Sequence, residues 1–154
     1  MKNLLSLICF LSVITQSFSQ LNLMPFEQID SLQKIEKRNI IVFTHTDWCR
    51  YCQSMKSTTF KNMDVVNFIN ANFYFVSFDA EEKRKIYFNH SEFNFKPNGN
   101  NTGINELAIE LGTQNNQINY PVLCILNNKN EIILQHTGFL NAKDLIFILR
   151  KLKE

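Results

Sequence analysis

Residues 40–55 read Ile40-Ile41-Val42-Phe43-Thr44-His45-Thr46-Asp47-Trp48-Cys49-Arg50-Tyr51-Cys52-Gln53-Ser54-Met55. Ile40 to Phe43 is an unbroken apolar run rich in β-branched residues, the pattern of a buried strand. Residues 49–58 follow after a short polar link and contain neither Gly nor Pro, so they read as a helix. A strand ending near Thr44 and a helix starting at Cys49 put one sulfur at a helix N-terminus. Unsatisfied backbone N–H groups and the helix dipole favour an anion there, and hence the thiolate. Cys52, one turn deeper, is shielded and placed to attack a mixed disulfide once Cys49 has formed it. Cys49 is therefore the candidate nucleophile and Cys52 the candidate resolving thiol. Arg50 adds a positive charge beside Cys49, which stabilises the reduced form and makes the couple more oxidising than a neutral neighbour would. Tyr51 supplies an apolar flank for a flexible peptide, and Trp48 directly precedes the pair.

The rest of the chain decides how that pair is read. With 154 residues, 16 Lys+Arg, 14 Asp+Glu and 45% hydrophobic residues, it describes one small folded domain. The cations are spread from Lys2 to Lys153 among acids, so there is no basic stripe and nucleic acid is not an expected partner. Residues 1–19 carry Lys2 as their one charge, an apolar run from Leu4 to Ile14, and small residues around Ser17-Phe18-Ser19. That is the pattern of a secretory signal cut before Gln20. The run is too short for a membrane anchor, which needs about 20 apolar residues. A lipid anchor on Cys9 is disfavoured because Ile8 stands where a small residue is usual. The mature domain is then 20–154, exported to the periplasm.

Export removes Cys9 and leaves Cys49, Cys52 and Cys124. An oxidising compartment favours disulfides, and Cys49 and Cys52 are the pair close in sequence. A bridge between residues three apart closes almost no loop, so it restricts the unfolded chain very little. Stability is a poor explanation for such a bond and chemistry a better one. Cys124 reads as a buried apolar filler rather than a third redox cysteine. The competing reading of the pair is half of a zinc site. Zinc needs four ligands, and only Cys124 and the scattered His45, His90 and His136 remain to supply them, so no metal site is assigned.

A coarse pass gives the fold class. Phe26, Ile29, Leu32 and Ile35 recur every three residues, so 25–38 reads as an amphipathic helix. Val65 to Ala71 reads as the last turns of the active-site helix or as a second helix. Phe73 to Phe78 is a strand, 104–111 a short helix, Val122 to Leu126 and Ile132 to His136 two strands. Asn127-Asn128-Lys129-Asn130 is the turn of a hairpin between the last two. Asn141 caps a final helix with Leu145, Ile148, Leu149 and Leu152 on one face. Alternating strands and helices imply an α/β fold with a parallel core, an antiparallel edge from the closing hairpin, and helices on both faces of one mixed sheet. The many Phe residues are assigned to the core. Residues 81–103 exceed an ordinary connection. Ile86, Phe88, Phe93 and Phe95 there read as a small hairpin packed on the body, with a partner-contact surface as the alternative. Asn89-His90-Ser91 and Asn100-Asn101-Thr102 match the glycosylation pattern, a match that arises by chance in an Asn-rich chain.

Ile40 to Met55 with its Trp-Cys-x-x-Cys, Thr59-Phe60, Tyr120-Pro121 and Thr137-Gly138-Phe139 together resemble the thioredoxin superfamily. Within it the chain is similar to exported thioredoxin-like proteins and the C-terminal periplasmic domain of DsbD-type disulfide reductases. The resemblance covers nearly all of 20–154 and implies the thioredoxin fold. It also implies that Pro121 is a cis-proline lying against the dithiol, where the backbone of Tyr120 pairs with a bound peptide. Two positions depart from the family. Phe43 stands where it carries a buried Asp, and Arg50-Tyr51 stands where its most familiar dipeptide is Gly-Pro.

The expected function is thiol–disulfide exchange on protein substrates, as reductant or isomerase more than as disulfide donor. Cys49 and Cys52 would be catalytic, with Trp48, Arg50, Tyr51, Tyr120 and Pro121 binding substrate. No cofactor is required, since electrons pass to or from another protein dithiol, membrane-bound or exported. A monomer is expected. The alternative is a binding module of the same fold, with 81–103 docking a partner and the cysteine pair non-catalytic.

Overall fold

The computed structural model describes residues 20–153, and the expected leader, 1–19, lies outside them. Five helices and eight strands follow in chain order. They are α1 (Phe26–Ile35), β1 (Asn39–His45), α2 (Arg50–Ser57), α3 (Met63–Asn72), β2 (Phe73–Asp79), β3 (Ile86–Phe88), β4 (Ser91–Phe93), β5 (Phe95–Pro97), β6 (Gly103–Asn105), α4 (Glu106–Gly112), β7 (Val122–Leu126), β8 (Ile132–Thr137) and α5 (Ala142–Lys153). The central sheet has the order β2-β1-β7-β8.

Period-two alternation along β1 sends its side chains to two separate cores. Ile40 and Val42 join α1, α4 and the β3–β4 hairpin on one face, while Ile41 and Phe43 join α2, α3 and α5 on the other. Both β1 faces are buried, which is why the run from Ile40 to Phe43 has no polar alternation. Burying a side chain such as Phe43 contributes about 2 kcal/mol.

The α/β class and the mixed sheet hold, but the parallel core is smaller than expected. β2 is parallel to β1, whereas β7 is antiparallel to β1 as well as to β8. Residues 80–121 bring the chain back to the end of the sheet it had just reached, so β7 starts beside Thr44 and runs backwards. Val65 to Ala71 belongs to a separate helix, because a 3-10 turn at Thr59–Lys61 ends α2 and Asn62 caps α3 through Asp64 and Val65 N–H. Thr59 Oγ1, fully buried, donates to Leu140 O at 2.6 Å and ties that turn to the approach of α5.

Phe26 and Ile29 of α1 are buried, but Ile35 is 84% exposed. A repeat of three slips about 60° per step on a helix of 3.6 residues per turn, so three steps carry Ile35 to the side opposite Phe26. Asn127 to Asn130 forms the expected turn, with Asn130 at φ 64 and Asn127 Oδ1 accepting from Lys129 and Glu131 N–H. Asn141 caps α5 by accepting from Asp144 N–H at 2.9 Å.

Residues 81–103 hold the first hairpin, β3–β4, and most of a second, β5–β6. Ile86 and Phe88 are buried, and Phe88 meets Phe26 with ring centroids 5.1 Å apart. The packing role is therefore the one the structure gives this segment. The expected helix at 104–111 loses its first residues to β6 and starts at Glu106, capped by Asn105.

Candidate functional site

Cys49 is the N-cap of α2 and not its first helical residue. Its backbone is extended, and its Sγ accepts a hydrogen bond from Cys52 N–H at 3.1 Å. One of the orphan donors of the helix start thus points at the sulfur that would carry negative charge in the reduced protein. No acidic residue stands in the first turn of α2 to oppose that charge. Cys49 and Cys52 are joined by a disulfide. Cys49 retains 5% exposure and Cys52 none, so the bond can be reached only from the Cys49 side. A thiolate approaching from solvent meets Cys49 first, and Cys52 lies behind it as the sulfur released and later returned.

Around this opening lie the other residues singled out from the sequence. Trp48 and Tyr51 are each 66% exposed, and Arg50 is exposed at the first position of α2. Tyr120 packs against the core that contains both cysteines and stands edge-on to Trp48, with centroids 5.8 Å apart. The Tyr120–Pro121 peptide bond is cis, and Pro121 is buried. The Tyr120 hydroxyl is buried without a hydrogen-bond partner. Burial first, then the charges of Glu81 and Asp79, push its pKa up to about 12, so it stays a neutral phenol.

Several residues of this region carried no signal in the sequence. Glu81, at the start of the long connection, accepts a hydrogen bond from Trp48 Nε1–H at 3.2 Å. Phe139 is 41% exposed beside Gly138, whose N–H donates to Pro121 O at 2.8 Å and whose φ of 102 suits glycine. Beneath α2, His45 is 7% exposed, with Nε2 3.1 Å from Ser77 Oγ and Nδ1 3.2 Å from Lys56 Nζ. These contacts depend on β1–β2 register, which pairs Phe43 with Ser77 and His45 with Asp79. Only the alternation of β1, which places His45 on the same face as Phe43, pointed towards them.

Phe43 itself is 1% exposed and packs edge-on against Phe60 with centroids 4.8 Å apart. It brings no polar atom to the back of the disulfide. A cleft of about 580 Å³ also runs behind α2, lined in part by Phe43, Lys56, Phe60, Phe75 and Ser77. Cys124 lies in the core on the opposite face of the sheet from Cys52, and burial pushes its pKa up to about 12. Among the described residues, no three or more His, Cys, Asp or Glu side chains form a group able to hold a metal, and no helix is long and apolar enough to cross a membrane.

Solved structures share this architecture. A structure titled DsbH oxidoreductase is 12% identical, with 92% of this chain and 90% of that one covered at a TM-score of 0.61. A putative disulphide-isomerase from Bacteroides thetaiotaomicron is 19% identical, with coverages of 86% and 92% and a TM-score of 0.59. The Neisseria meningitidis DsbD c-terminal domain in the reduced form is 16% identical, with coverages of 81% and 90% and a TM-score of 0.54. At these identities the likeness is one of fold. No curated protein sequence matches the chain. Residues 25–153 match the family model described as a thioredoxin-like domain, and the chain, with its Cys49–Cys52 pair, belongs to that family as a thiol–disulfide oxidoreductase.

Proposed function

We propose that the protein is exported and exchanges thiols and disulfides on protein substrates, working as a reductant or isomerase more than as a disulfide donor. The observation that carries this reading is the bond from Cys52 N–H to Cys49 Sγ at the start of α2. It prepares the solvent-side sulfur to be a thiolate, the form that attacks disulfides. In the reductive direction the Cys49 thiolate attacks a substrate disulfide, forming a Cys49–substrate bond and releasing one substrate thiolate, which takes a proton from solvent. Cys52 then gives up its proton and attacks Cys49 Sγ. The Cys49–Cys52 bond forms, the mixed disulfide breaks, and its electron pair leaves on the second substrate sulfur. Two electrons have passed from the dithiol to the substrate. Another protein dithiol, membrane-bound or exported, restores the reduced pair.

Trp48, Tyr51, Tyr120 and Pro121 offer an apolar rim for an extended peptide, with the Tyr120 backbone as its pairing partner and Arg50 as the nearby cation. The titles of the B. thetaiotaomicron and N. meningitidis structures, a putative disulphide-isomerase and a DsbD domain, support the direction. Export rests on the leader pattern of residues 1–19.

Dithiothreitol-driven reduction of insulin tests the reading. The 20–154 protein should accelerate it and the Cys49→Ser variant should not. Equal rates, with Cys49 inert to alkylation, would sink it in favour of a binding module. Equilibration of the pair in glutathione buffers tests direction. A potential near the thioredoxin value of about −270 mV supports a reductant, and one near about −120 mV makes the protein a donor.

A further inference from the structure

We propose that Lys56, held in place by His45, is the counter-charge that activates the Cys52 thiol for the resolving step; this rests on the thiol–disulfide reading above. Cys52 is fully buried among Phe43, Met55 and their neighbours. Desolvation opposes ionisation of a thiol in such a place, yet the resolving attack requires its thiolate. Phe43 offers nothing to offset that cost. Some other group must supply charge to the back of the pair.

α2 carries that charge. Lys56 follows Cys52 by four residues on the same helix, and residues so spaced lie on one face about 5–6 Å apart at Cβ. Its ammonium does not extend freely into water, because Nζ sits 3.2 Å from His45 Nδ1. An ammonium has donors only, so the ring nitrogen accepts. His45 is then the neutral tautomer with its proton on Nε2, which donates to Ser77 Oγ at 3.1 Å. Ser77, His45 and Lys56 thus form a chain of fixed polarity anchored on two strands and a helix. Among the described residues Lys56 makes no salt bridge that would divert its charge.

Lys56, Ser77 and Phe43 also line the cleft of about 580 Å³ behind α2. The proton lost by Cys52 leaves to water through that cleft, and Lys56 keeps its own. His45 is a positioning residue, acting through Lys56. The groups that act on its charge are Lys56 from α2, Asp79 from β2 and Asp47 from the link after β1. Protonating His45 in acid removes the acceptor and sets a second cation against Lys56, so the resolving step should slow below the midpoint of His45.

Single-turnover kinetics on the reduced 20–154 chain with oxidised glutathione separates the two steps. Acid quench and mass spectrometry follow formation of the Cys49–glutathione adduct and then its resolution. Lys56→Gln and His45→Gln should leave adduct formation unchanged, slow resolution about tenfold at neutral pH, and raise the pH midpoint of resolution by about one unit. Lys56→Arg, which keeps the charge, should retain most of the wild-type rate. The proposal is overturned if Lys56→Gln resolves at the wild-type rate and midpoint, or if Lys56→Arg is as slow as Lys56→Gln. Failure of the wild type to form any adduct at Cys49 would instead defeat the enzymatic reading, and this inference with it.

Discussion

Trp48 stands edge-on to Tyr120, with ring planes at 77° and centroids 5.8 Å apart, although the two residues come from opposite ends of the domain. The hydrogen bond from its indole to Glu81 fixes the other side of the ring. A side chain two-thirds exposed is thereby held rigid at the mouth of the disulfide. A rigid aromatic rim binds a peptide with little ordering cost. Trp48→Ala should raise KM for a protein disulfide about three- to tenfold, the range of an aromatic contact. It should leave the reaction with a small disulfide unchanged. Steady-state kinetics with both substrates checks this; an equal loss on both would place Trp48 in the chemistry.

The buried His45 makes stability depend on pH. Burial, and then the charge of Lys56, lower its pKa from the ordinary 6.5. The unfolded chain therefore binds a proton at a higher pH than the folded one. Its contribution to stability is complete above pH 6.5 and is lost as pH falls through the lowered native value. Urea midpoints measured downwards from neutral pH should decline over this window, and the decline should be smaller in His45→Gln. Superimposable profiles for the two proteins would show that His45 titrates the same way in both states.

Cys124 should take no part in exchange. It is fully buried on the far face of the sheet, with its thiol pKa pushed up to about 12 by burial. In the reduced native protein, iodoacetamide should label Cys49 and spare Cys124. Cys124→Ala should cost about 1 kcal/mol of stability and leave insulin reduction unchanged. Loss of turnover in that variant would give the third cysteine a redox role.

Asn105 holds the long connection together. Fully buried, it accepts from Leu107 N–H at 3.0 Å and donates to the carbonyls of Glu82 and Arg84 at 3.2 Å each. One side chain caps α4 and satisfies two carbonyls of the strand-free stretch before β3. Asn105→Ala should cost about 2–3 kcal/mol, since it removes a cap and strands buried acceptors. Limited proteolysis should then cut within 81–103 faster than in the wild type; unchanged cleavage would show that the hairpins stand without it.

Residues 40–55 made the heart of the site legible because strand, link, cap and helix are contiguous there. The buried run, the helix start and the two sulfurs are all local consequences of order along the chain. The direction of β7 was not legible, because composition does not reveal to which end of the sheet residues 80–121 return. Glu81 and the Ser77–His45–Lys56 chain stayed hidden for a related reason. Each is an ordinary polar residue whose meaning comes from strand register and helix packing. Phe43 marked the place where a polar group was missing, but only the fold shows what stands nearby.

Trapping of mixed disulfides tests the central claim most directly. A Cys52→Ala variant of the 20–154 protein can attack but not resolve. Incubated with oxidised protein substrates, it should accumulate adducts that are released by dithiothreitol and joined through Cys49, and Cys49→Ala should form none. Absence of adducts with Cys52→Ala, or equal amounts with both variants, would contradict the assignment of Cys49 as nucleophile and Cys52 as resolving thiol.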